Sequence, residues 1–400
     1  MSAFLDWLEK VLTWFFALAF GALLIYGGLR YKSHLDEESD PWLQARKMNT
    51  AGAYLAFLRQ CHSCPQQADA YKALDELQRV DGLLSRLNTS HLPERASLAH
   101  PVFSPDGKLI LATGGDAPDL WDAETGKRDS HGRKTCATCR GRRKIDALDF
   151  APDGRRIGAG MPGSEGGLMA VWDMTSEVLI AEKDVEGSDV KGVLFSPDGV
   201  WLGWHADGPV GLWNPVNGRF MRSVHPEVTS IAFTKDAKTG RPFFMSAAGK
   251  SIMVWEPTSM ELIREAQIDT DRRLLGFSRD GKVLGYSDGR VLEIWDTDTL
   301  RPIASVRDLL GNITAFCRDT PSGRIVVGTQ EGFIYLWDPL KSPVPRAHVA
   351  GHEGPIESLA CGAEGYAVSI SWDGGKVWKL DKLRAPGSAE ELARRKKFTR

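Results

Sequence analysis

Hydrophobic positions are distributed in three different ways along this chain, and the first is an unbroken apolar run. Residues 11–29 carry no charge and are mostly large and apolar. Nineteen helical residues at 1.5 Å each span about 28 Å, close to a hydrocarbon core of roughly 30 Å. Few helices buried in a soluble core are apolar on every face. The run therefore predicts a transmembrane helix over residues 11–29, within an N-terminal membrane anchor at residues 1–32.

Basic residues flank this run unequally. Lys10 is the only basic side chain before it, whereas Arg30, Lys32, Arg46 and Lys47 follow it. The positive-inside rule then predicts a single-pass protein of the inner cell membrane with its C-terminal bulk in the cytoplasm. Because the rule weakens when a large domain follows the span, an extracytoplasmic (periplasmic) position of that bulk is the alternative.

The second pattern has apolar residues at helical spacing. It follows an acidic and polar stretch, residues 33–41, that predicts a linker, and it extends over residues 42–88. Pro65 interrupts it. The apolar positions are Ala53, Phe57 and Leu58, then Tyr71, Leu74, Leu77, Leu84 and Leu87. The pattern predicts a helical hairpin stalk, and this stretch resembles the short hairpins beside sensor and scaffold domains of bacterial proteins.

The third pattern, from about residue 97, consists of short alternating runs separated by turn residues. A marker, Phe-Ser-Pro-Asp-Gly at residues 103–107, recurs with small changes at 150–154, 195–199 and 277–281. Residues 233–240, 316–323 and 360–365 hold degraded versions. In such a marker Pro presets φ for a turn, Asp caps it, and Gly takes the position with positive φ. Each marker predicts a β-hairpin, because alternating apolar residues flank it.

A tryptophan follows each marker at a regular distance. The seven are Trp121, Trp172, Trp213, Trp255, Trp295, Trp337 and Trp378, separated by 51, 41, 42, 40, 42 and 41 residues. Four of them are followed directly by Asp. A period near 41 with a Trp-Asp pair resembles the WD-repeat family, whose members form propellers. The resemblance implies an all-β, seven-bladed propeller over residues 89–383, followed by a basic tail at residues 384–400.

Two further features are implied by this resemblance. Members of the family close the ring with an outer strand lent from the N-terminal side, and residues 89–98 are the candidate. His352, Ser371, Asp373 and Trp378 resemble the family's structural hydrogen-bond tetrad, so they are expected to be structural, like the repeated tryptophans. Ser, His and Asp also form hydrolase triads, but nothing in the sequence resembles a nucleophile elbow or an oxyanion loop.

Two Cys-x-x-Cys pairs lie outside the regular repeat. Cys61 and Cys64 fall in the turn of the predicted hairpin, and Cys136 and Cys139 fall in an insertion after blade one. Four such thiolates suit a tetrahedral zinc site that fixes the stalk to the propeller. Structural disulfides in an oxidising compartment are the first alternative. Unlinked or redox-active thiols are the second.

The other two cysteines, Cys317 and Cys361, hold equivalent positions in blades six and seven. They are interpreted as buried small hydrophobic side chains, the commonest role of a free cysteine. No cofactor apart from zinc is predicted.

Charge argues against nucleic acid as a partner. The net charge is −2, so no global field attracts polyanions. Basic residues cluster around the second cysteine pair and at the C-terminal end. The aromatic interleaving that single-strand binding uses is missing from both clusters. They are interpreted as solvated segments, and neither nucleic acid nor a small-molecule substrate is predicted.

Together these features predict a membrane-tethered scaffold that presents a propeller to partner proteins or to a membrane complex. Trp204, His205, Tyr286 and Trp372 lie near the ends of second strands, where exposed aromatic residues anchor partners. Packing between blades is the alternative for each. No enzyme is predicted, because the nine histidines do not recur at one blade position. The alternative function is a metal- or redox-responsive sensor or assembly factor that uses the paired cysteines.

Overall fold

The computed structural model describes residues 40–48, 53, 54, 57, 65, 66, 69, 70, 73, 82–87, 98–113, 118–128, 144–163, 166–176, 178–224, 228–235, 240–309, 311–345 and 347–383. The chain divides into two compact units, residues 1–77 and residues 78–400. The predicted span at 11–29 and the basic tail at 384–400 lie outside the described residues. Among the residues that are described, no helix has the length and apolar character needed to cross a membrane.

The first unit contains helix α1 (Pro41–Met48). The Asp40 carboxylate accepts a hydrogen bond from the backbone N–H of Trp42 at 2.8 Å, so it caps the helix start, and Pro41 fits the first helical position. The Trp42 ring lies 5.9 Å from the ring of Tyr54 and 5.1 Å from that of Phe57. Residues 53, 54, 57, 69, 70 and 73 are also helical. Helix α1 begins inside the stretch that was predicted to be a linker.

The second unit contains seven antiparallel sheets in its described residues. Blade one has strands β2 (Ala99–Phe103), β3 (Leu109–Thr113) and β4 (Pro118–Asp122). Blade two has β5 (Ala147–Phe150), β6 (Arg156–Met161), β7 (Gly166–Asp173) and β8 (Val178–Glu186). Blade three has β9 (Val190–Phe195), β10 (Leu202–Ala206), β11 (Pro209–Trp213) and β12 (Phe220–Val224). Blade four has β13 (Ser230–Lys235), β14 (Pro242–Ala248), β15 (Ser251–Trp255) and β16 (Leu262–Gln267).

Three more blades complete the ring. Blade five has β17 (Arg273–Phe277), β18 (Val283–Ser287), β19 (Leu292–Asp296) and β20 (Pro302–Val306). Blade six has β21 (Ile313–Arg318), β22 (Ile325–Thr329), β23 (Phe333–Trp337) and β24 (Ala347–Ala350). Blade seven has β25 (Ser358–Cys361), β26 (Tyr366–Ser371), β27 (Gly374–Lys379) and a strand from earlier in the chain, β1 (Leu83–Arg86). The first strand of each blade contacts the first strands of both neighbouring blades. The second unit is a seven-bladed β-propeller.

The marker segments form the turn between the first and second strands, as the sequence predicted. In blade one the Ser104 hydroxyl bonds to the Asp106 carboxylate at 2.5 Å and accepts the N–H of Leu109 at 2.9 Å. Gly107 has φ +72°, a conformation that other residues rarely adopt. The same Ser–Asp bond recurs in blades three and five. These bonds lie within a single turn, so they hold the hairpin in place without help from packing between blades.

The repeated tryptophans pack between neighbouring blades. All seven are buried, with at most 7% of the residue exposed. Trp172 of blade two, for example, shares a buried cluster with Val102 and Leu111 of blade one. A buried aromatic of this kind stabilises the fold by about 1.5–3 kcal/mol through burial alone. The core is therefore a series of layers between blades, which explains why one tryptophan recurs per repeat.

Strand β1 closes the ring by pairing antiparallel with β27, with Leu83 opposite Trp378 and Arg86 opposite Lys376. A closing strand from the N-terminal side was predicted, but residues 89–98 were the wrong segment, and Leu84 and Leu87 were assigned to the helical stalk. The strand lies between two apolar clusters: Leu83 packs against one, and Leu84 and Leu87 pack against the other. A strand buried on both faces shows no apolar–polar alternation, so its leucines resembled a helical stripe.

Candidate functional site

The four aromatic residues predicted to bind a partner occupy different environments. Trp204 and Tyr286 are fully buried. The Trp204 ring stacks on Phe220 with a centroid distance of 5.4 Å and an interplanar angle of 11°. The Tyr286 hydroxyl donates to the carbonyl of Gly249 at 3.3 Å. Both rings therefore pack inside the propeller, which is the alternative role that the sequence allowed, and neither offers surface to a partner.

His205 lines the central channel from the second strand of blade three. Its ring lies so close to Gly192 that a side chain at that position would overlap it. Burial lowers the pKa of His205 to about 4, against the opposing effects of the Val228 carbonyl and the charge of Asp207. Its Nδ1 atom has no hydrogen-bond partner. The imidazole is therefore neutral at physiological pH and lies inside the channel rather than on the outer face.

Trp372 is the exposed member of the four. It is 55% exposed, and the other ten tryptophans in the described part of the chain are buried or half-buried. It occupies the two-residue turn between β26 and β27, where Ser371 pairs with Gly374. Its indole lies against Gly354, which has no room for a Cβ atom. Trp372 is thus a large apolar side chain displayed at the end of blade seven.

A hydrogen-bonded chain fixes the turn that carries Trp372. Asp373 bonds to Nδ1 of His352, and Nε2 of His352 lies 2.6 Å from the hydroxyl oxygen of Ser369. The indole N–H of Trp378 donates to the same oxygen at 2.8 Å. The tetrad implied by the family resemblance is therefore present, but its serine is Ser369. The predicted Ser371 was wrong, because its hydroxyl lies nearer the turn and has no hydrogen-bond partner.

A buried lysine strengthens this arrangement. Lys376 is 2% exposed, and its Nζ donates to the Gly351 carbonyl at 2.6 Å and lies 2.9 Å from Oδ2 of Asp373. Burial alone would raise the pKa of Asp373, but the hydrogen bond from His352 and the charge of Lys376 hold that pKa well below its usual range. Asp373 is therefore ionised, and both of its oxygens are engaged next to Trp372.

The central channel is the second feature of interest. A cavity of about 290 Å³ lies among the first strands of the blades. A second cavity of about 450 Å³ lies at the end where the marker turns are found, and it is called the channel mouth here. Phe103, Leu194, Arg279 and Cys361 line both cavities. Because first and second strands run antiparallel, the mouth and the Trp372 turn lie at opposite ends of the strands.

An ion pair crosses this channel. Asp149 of blade two is 1% exposed, and its Oδ2 accepts the N–H of Phe195 at 2.8 Å. Its Oδ1 lies 2.5 Å from Nη1 of Arg279 of blade five. Burial raises the pKa of Asp149, while the charge of Arg279 and the Phe195 N–H act in the opposite direction. The sequence does contain a signal for this pair, because Arg279 replaces the proline of the marker.

A disulfide joins two inner strands at the same channel. Cys317 of β21 and Cys361 of β25 are bonded, with their Cα atoms 5.6 Å apart. They connect blade six to blade seven, the blade that β1 closes. The interpretation of these two cysteines as unlinked hydrophobic side chains was therefore wrong. Their equivalent strand positions in adjacent blades, which the sequence did show, are what bring the sulfur atoms together.

The predicted zinc ligands, Cys61, Cys64, Cys136 and Cys139, lie outside the described residues. So do the basic residues 129–143 that surround the second pair. Across the residues that the structure does describe, no group of three or more His, Cys, Asp or Glu side chains is placed to hold a metal ion. Zinc binding by the two pairs stays a prediction, which metal analysis of the purified protein would check.

Comparison with known proteins supports the fold. No family model matches the chain. Telomerase protein component 1 of Rattus norvegicus is 23% identical over 315 residues, which cover 75% of this chain and 11% of that protein. The chain thus spans about a tenth of the length of this relative. A solved structure, the computationally designed Ika8 protein, matches with a TM-score of 0.53 and 21% identity, over 74% of this chain and 99% of that chain.

Proposed function

We propose that this protein is a membrane-tethered scaffold of the WD-repeat type, and that it captures a partner protein through the face of blade seven that carries Trp372. The propeller fold suggests a scaffold for protein interactions. The observation that carries the proposal is the 55% exposure of Trp372 on a turn that buried hydrogen bonds hold in place. The repeated tryptophans and the tetrad support the WD-repeat type, and the apolar run at residues 11–29 supports the tether.

Rigidity makes this tryptophan suitable as an anchor. Tryptophan is enriched among the residues that contribute most to binding at interfaces. Its neighbour Asp373 is bonded to both His352 and Lys376, so the backbone of the turn does not have to be ordered when a partner binds. When a binding segment is already ordered, less conformational entropy is lost on binding, and the affinity is higher. The indole also lies against Gly354, which limits the orientations of the side chain.

The tetrad does not support a hydrolase. Asp373, His352 and Ser369 include the residue types of a catalytic triad, but Ser369 is 0% exposed. Its hydroxyl oxygen already accepts a hydrogen bond from Trp378 and contacts His352. A substrate carbonyl has no access to this oxygen, so the group serves to hold the blade and its turn.

The disulfide supports one of the two predicted orientations. Disulfides persist in oxidising compartments and are rare in the cytosol. The Cys317–Cys361 bond therefore favours the extracytoplasmic alternative for the propeller. The test is alkylation of free thiols in acid-quenched cells, followed by peptide mass spectrometry with and without prior reduction. We expect Cys317 and Cys361 to be alkylated only after reduction. Full alkylation of both cysteines without reductant would show that the disulfide is absent in cells, and it would support the cytoplasmic orientation instead.

Site-specific photocrosslinking tests the partner-binding face. A benzophenone amino acid is placed at Trp372 in the full chain, in cells, and at Leu340 as the control. Leu340 is 83% exposed and lies between β23 and β24, at the other end of the strands. We expect one discrete crosslinked protein from position 372 that is absent from position 340. Identical adducts from both positions, or none from 372, would contradict the proposal.

A further inference from the structure

We propose that the channel mouth is a second binding site, separate from the Trp372 face, and that Arg279 binds there the carboxylate side chain of an acidic residue in a partner protein. Three features of the mouth support this site: the solvent-exposed charge of Arg279, the N–H donors of its guanidinium that have no partner among the described residues, and the mostly apolar residues that line the cavity. It does not depend on the Trp372 face, because the two surfaces lie at opposite ends of the strands.

Arg279 supplies the accessible charge at this site. Its side chain is 45% exposed, whereas the Asp149 side chain that pairs with it is 2% exposed. The neighbouring pair in the channel, Arg318 with Asp280, is 22% and 18% exposed. The carboxylate of Asp149 is thus hidden behind the guanidinium, and a ligand that enters the mouth meets a cation first. Charge complementarity therefore selects an anionic group.

Most hydrogen-bond donors of Arg279 remain available. A guanidinium has five N–H donors arranged in a fork, and in the described structure the Arg279 guanidinium makes one ion pair, from Nη1 to Asp149. A carboxylate accepts two parallel bonds from such a fork, which makes the pairing geometrically specific. Asp149 acts here as a positioning residue, because the ion pair holds the guanidinium in the channel and engages one of its nitrogens.

The walls of the mouth are mostly apolar, and Arg279 is the charged residue among its lining residues. Four lining residues are prolines, which have no backbone N–H: Pro105, Pro152, Pro197 and Pro321. Phe103 and Phe150 add apolar surface. A mostly apolar wall around one charged group is the usual composition of a ligand site, and the volume of about 450 Å³ lies within the range of roughly 300–1,000 Å³ for such sites. The occupant is therefore an acidic residue flanked by apolar residues.

Synthetic peptides provide the probe. Three pools of acetylated and amidated heptapeptides carry Glu, Gln or Lys at the central position and a mixture of Ala, Val, Leu and Pro elsewhere. Binding of labelled pools to the full chain in detergent is measured by fluorescence polarisation. We expect the Glu pool to bind at least about tenfold more tightly than the Gln pool, as a charge-assisted hydrogen bond would give. The Lys pool should bind most weakly.

Three variants locate the binding. D149N/R279Q removes both charges together, so no carboxylate is left buried and unpaired, and it should bring the Glu and Gln pools to equal affinity. A363W places a bulky ring on an exposed residue of the mouth, leaves the ion pair intact, and should weaken all pools. R290Q, at an exposed arginine outside the mouth, should leave the tenfold preference unchanged.

Several outcomes would overturn the inference. Equal binding of the Glu and Gln pools to the wild-type chain is one, and a preference for Glu that survives both D149N/R279Q and A363W is another. A phosphoserine pool that binds while the Glu pool does not would show a phosphate site instead. Including W372A separates the two proposals, since loss of binding in that variant alone would assign the peptides to the other face.

Discussion

Arg279 of blade five and Asp149 of blade two form an ion pair across the channel, with Nη1 2.5 Å from Oδ1. The two residues are 130 positions apart in the sequence and belong to blades that are not neighbours in the ring. Asp149 is 1% exposed, and a buried charge without a partner is strongly destabilising. The pair therefore links opposite sides of the ring as well as presenting a guanidinium at the channel mouth.

Removing Arg279 alone should destabilise the propeller. R279Q leaves the buried Asp149 carboxylate without its charged partner. We expect a loss of roughly 1–3 kcal/mol, below the range for fully buried pairs because the Arg279 side chain is 45% exposed. D149N/R279Q should recover most of this loss, and R290Q should change stability by less than about 0.5 kcal/mol. Urea unfolding measures all three. Equal losses in R279Q and the double variant would show that the charge of Asp149 is not the cause.

The two serines of strand β26 should respond differently to truncation. Ser369 links His352 to Trp378, so S369A leaves two buried groups unsatisfied and should cost about 1–3 kcal/mol. Ser371 is also buried, but its hydroxyl has no partner, so S371A should be neutral or slightly stabilising. Thermal unfolding of the two single variants checks this. If S371A lost more stability than S369A, Ser371 would be the serine of the tetrad, as the sequence pattern suggested.

His205 should make stability depend on pH in the acidic range. Its pKa is about 4 in the folded protein, against an ordinary value of 6.5, so between these values the unfolded chain binds a proton that the folded chain does not. Stability from this residue is complete above pH 6.5 and falls as pH decreases, by about 3 kcal/mol at pH 4. H205Q should lose this pH dependence. The measurement is the unfolding free energy of the wild type and of H205Q between pH 4 and pH 7, compared as their difference at each pH. His352 contributes equally to both proteins, so it cancels in that difference. If the two free energies change in parallel with pH, His205 is not the cause.

The Cys317–Cys361 disulfide should stabilise blades six and seven. Its residues are 44 positions apart, and closing a loop of that size in the unfolded chain is worth roughly 2–4 kcal/mol. C317A/C361A should therefore unfold at lower temperature than the oxidised wild type. Reductant should lower the melting temperature of the wild type and leave that of the variant unchanged. A wild-type protein insensitive to reductant under conditions that reduce the bond would contradict this.

Local chemistry explains why most of the fold could be predicted. The marker turns depend on residues that bond to one another within five positions, as Ser104 does with Asp106 and Leu109. The regular spacing of the tryptophans reflects one buried layer between each pair of neighbouring blades. Each layer has a similar packing arrangement, so the same residue type recurs once per repeat. Such features can be predicted from a sequence because the residues that form each of them lie within one repeat.

The candidate sites were less predictable because they depend on burial. Four aromatic residues near strand ends looked alike, yet Trp204 and Tyr286 face a neighbouring blade while Trp372 occupies a turn. A sequence gives the strand position of a residue and leaves undetermined how far the next blade covers it. Ser369 and Ser371 differ by two positions on one strand, and the position of His352 decides which of them is bonded.

The sequence by itself determined the seven repeats and the hairpin turns, because both follow from periodicity and turn chemistry inside a repeat. That an N-terminal segment closes the ring was implied by the family resemblance. The tertiary structure alone decided that β1 is that segment, that Cys317 and Cys361 are bonded, and that Arg279 reaches Asp149. These contacts join residues from separate repeats, 44 to about 295 positions apart. Closing the blades into a ring creates such neighbours, and the pattern inside one repeat does not specify which residue of another repeat each of them will meet.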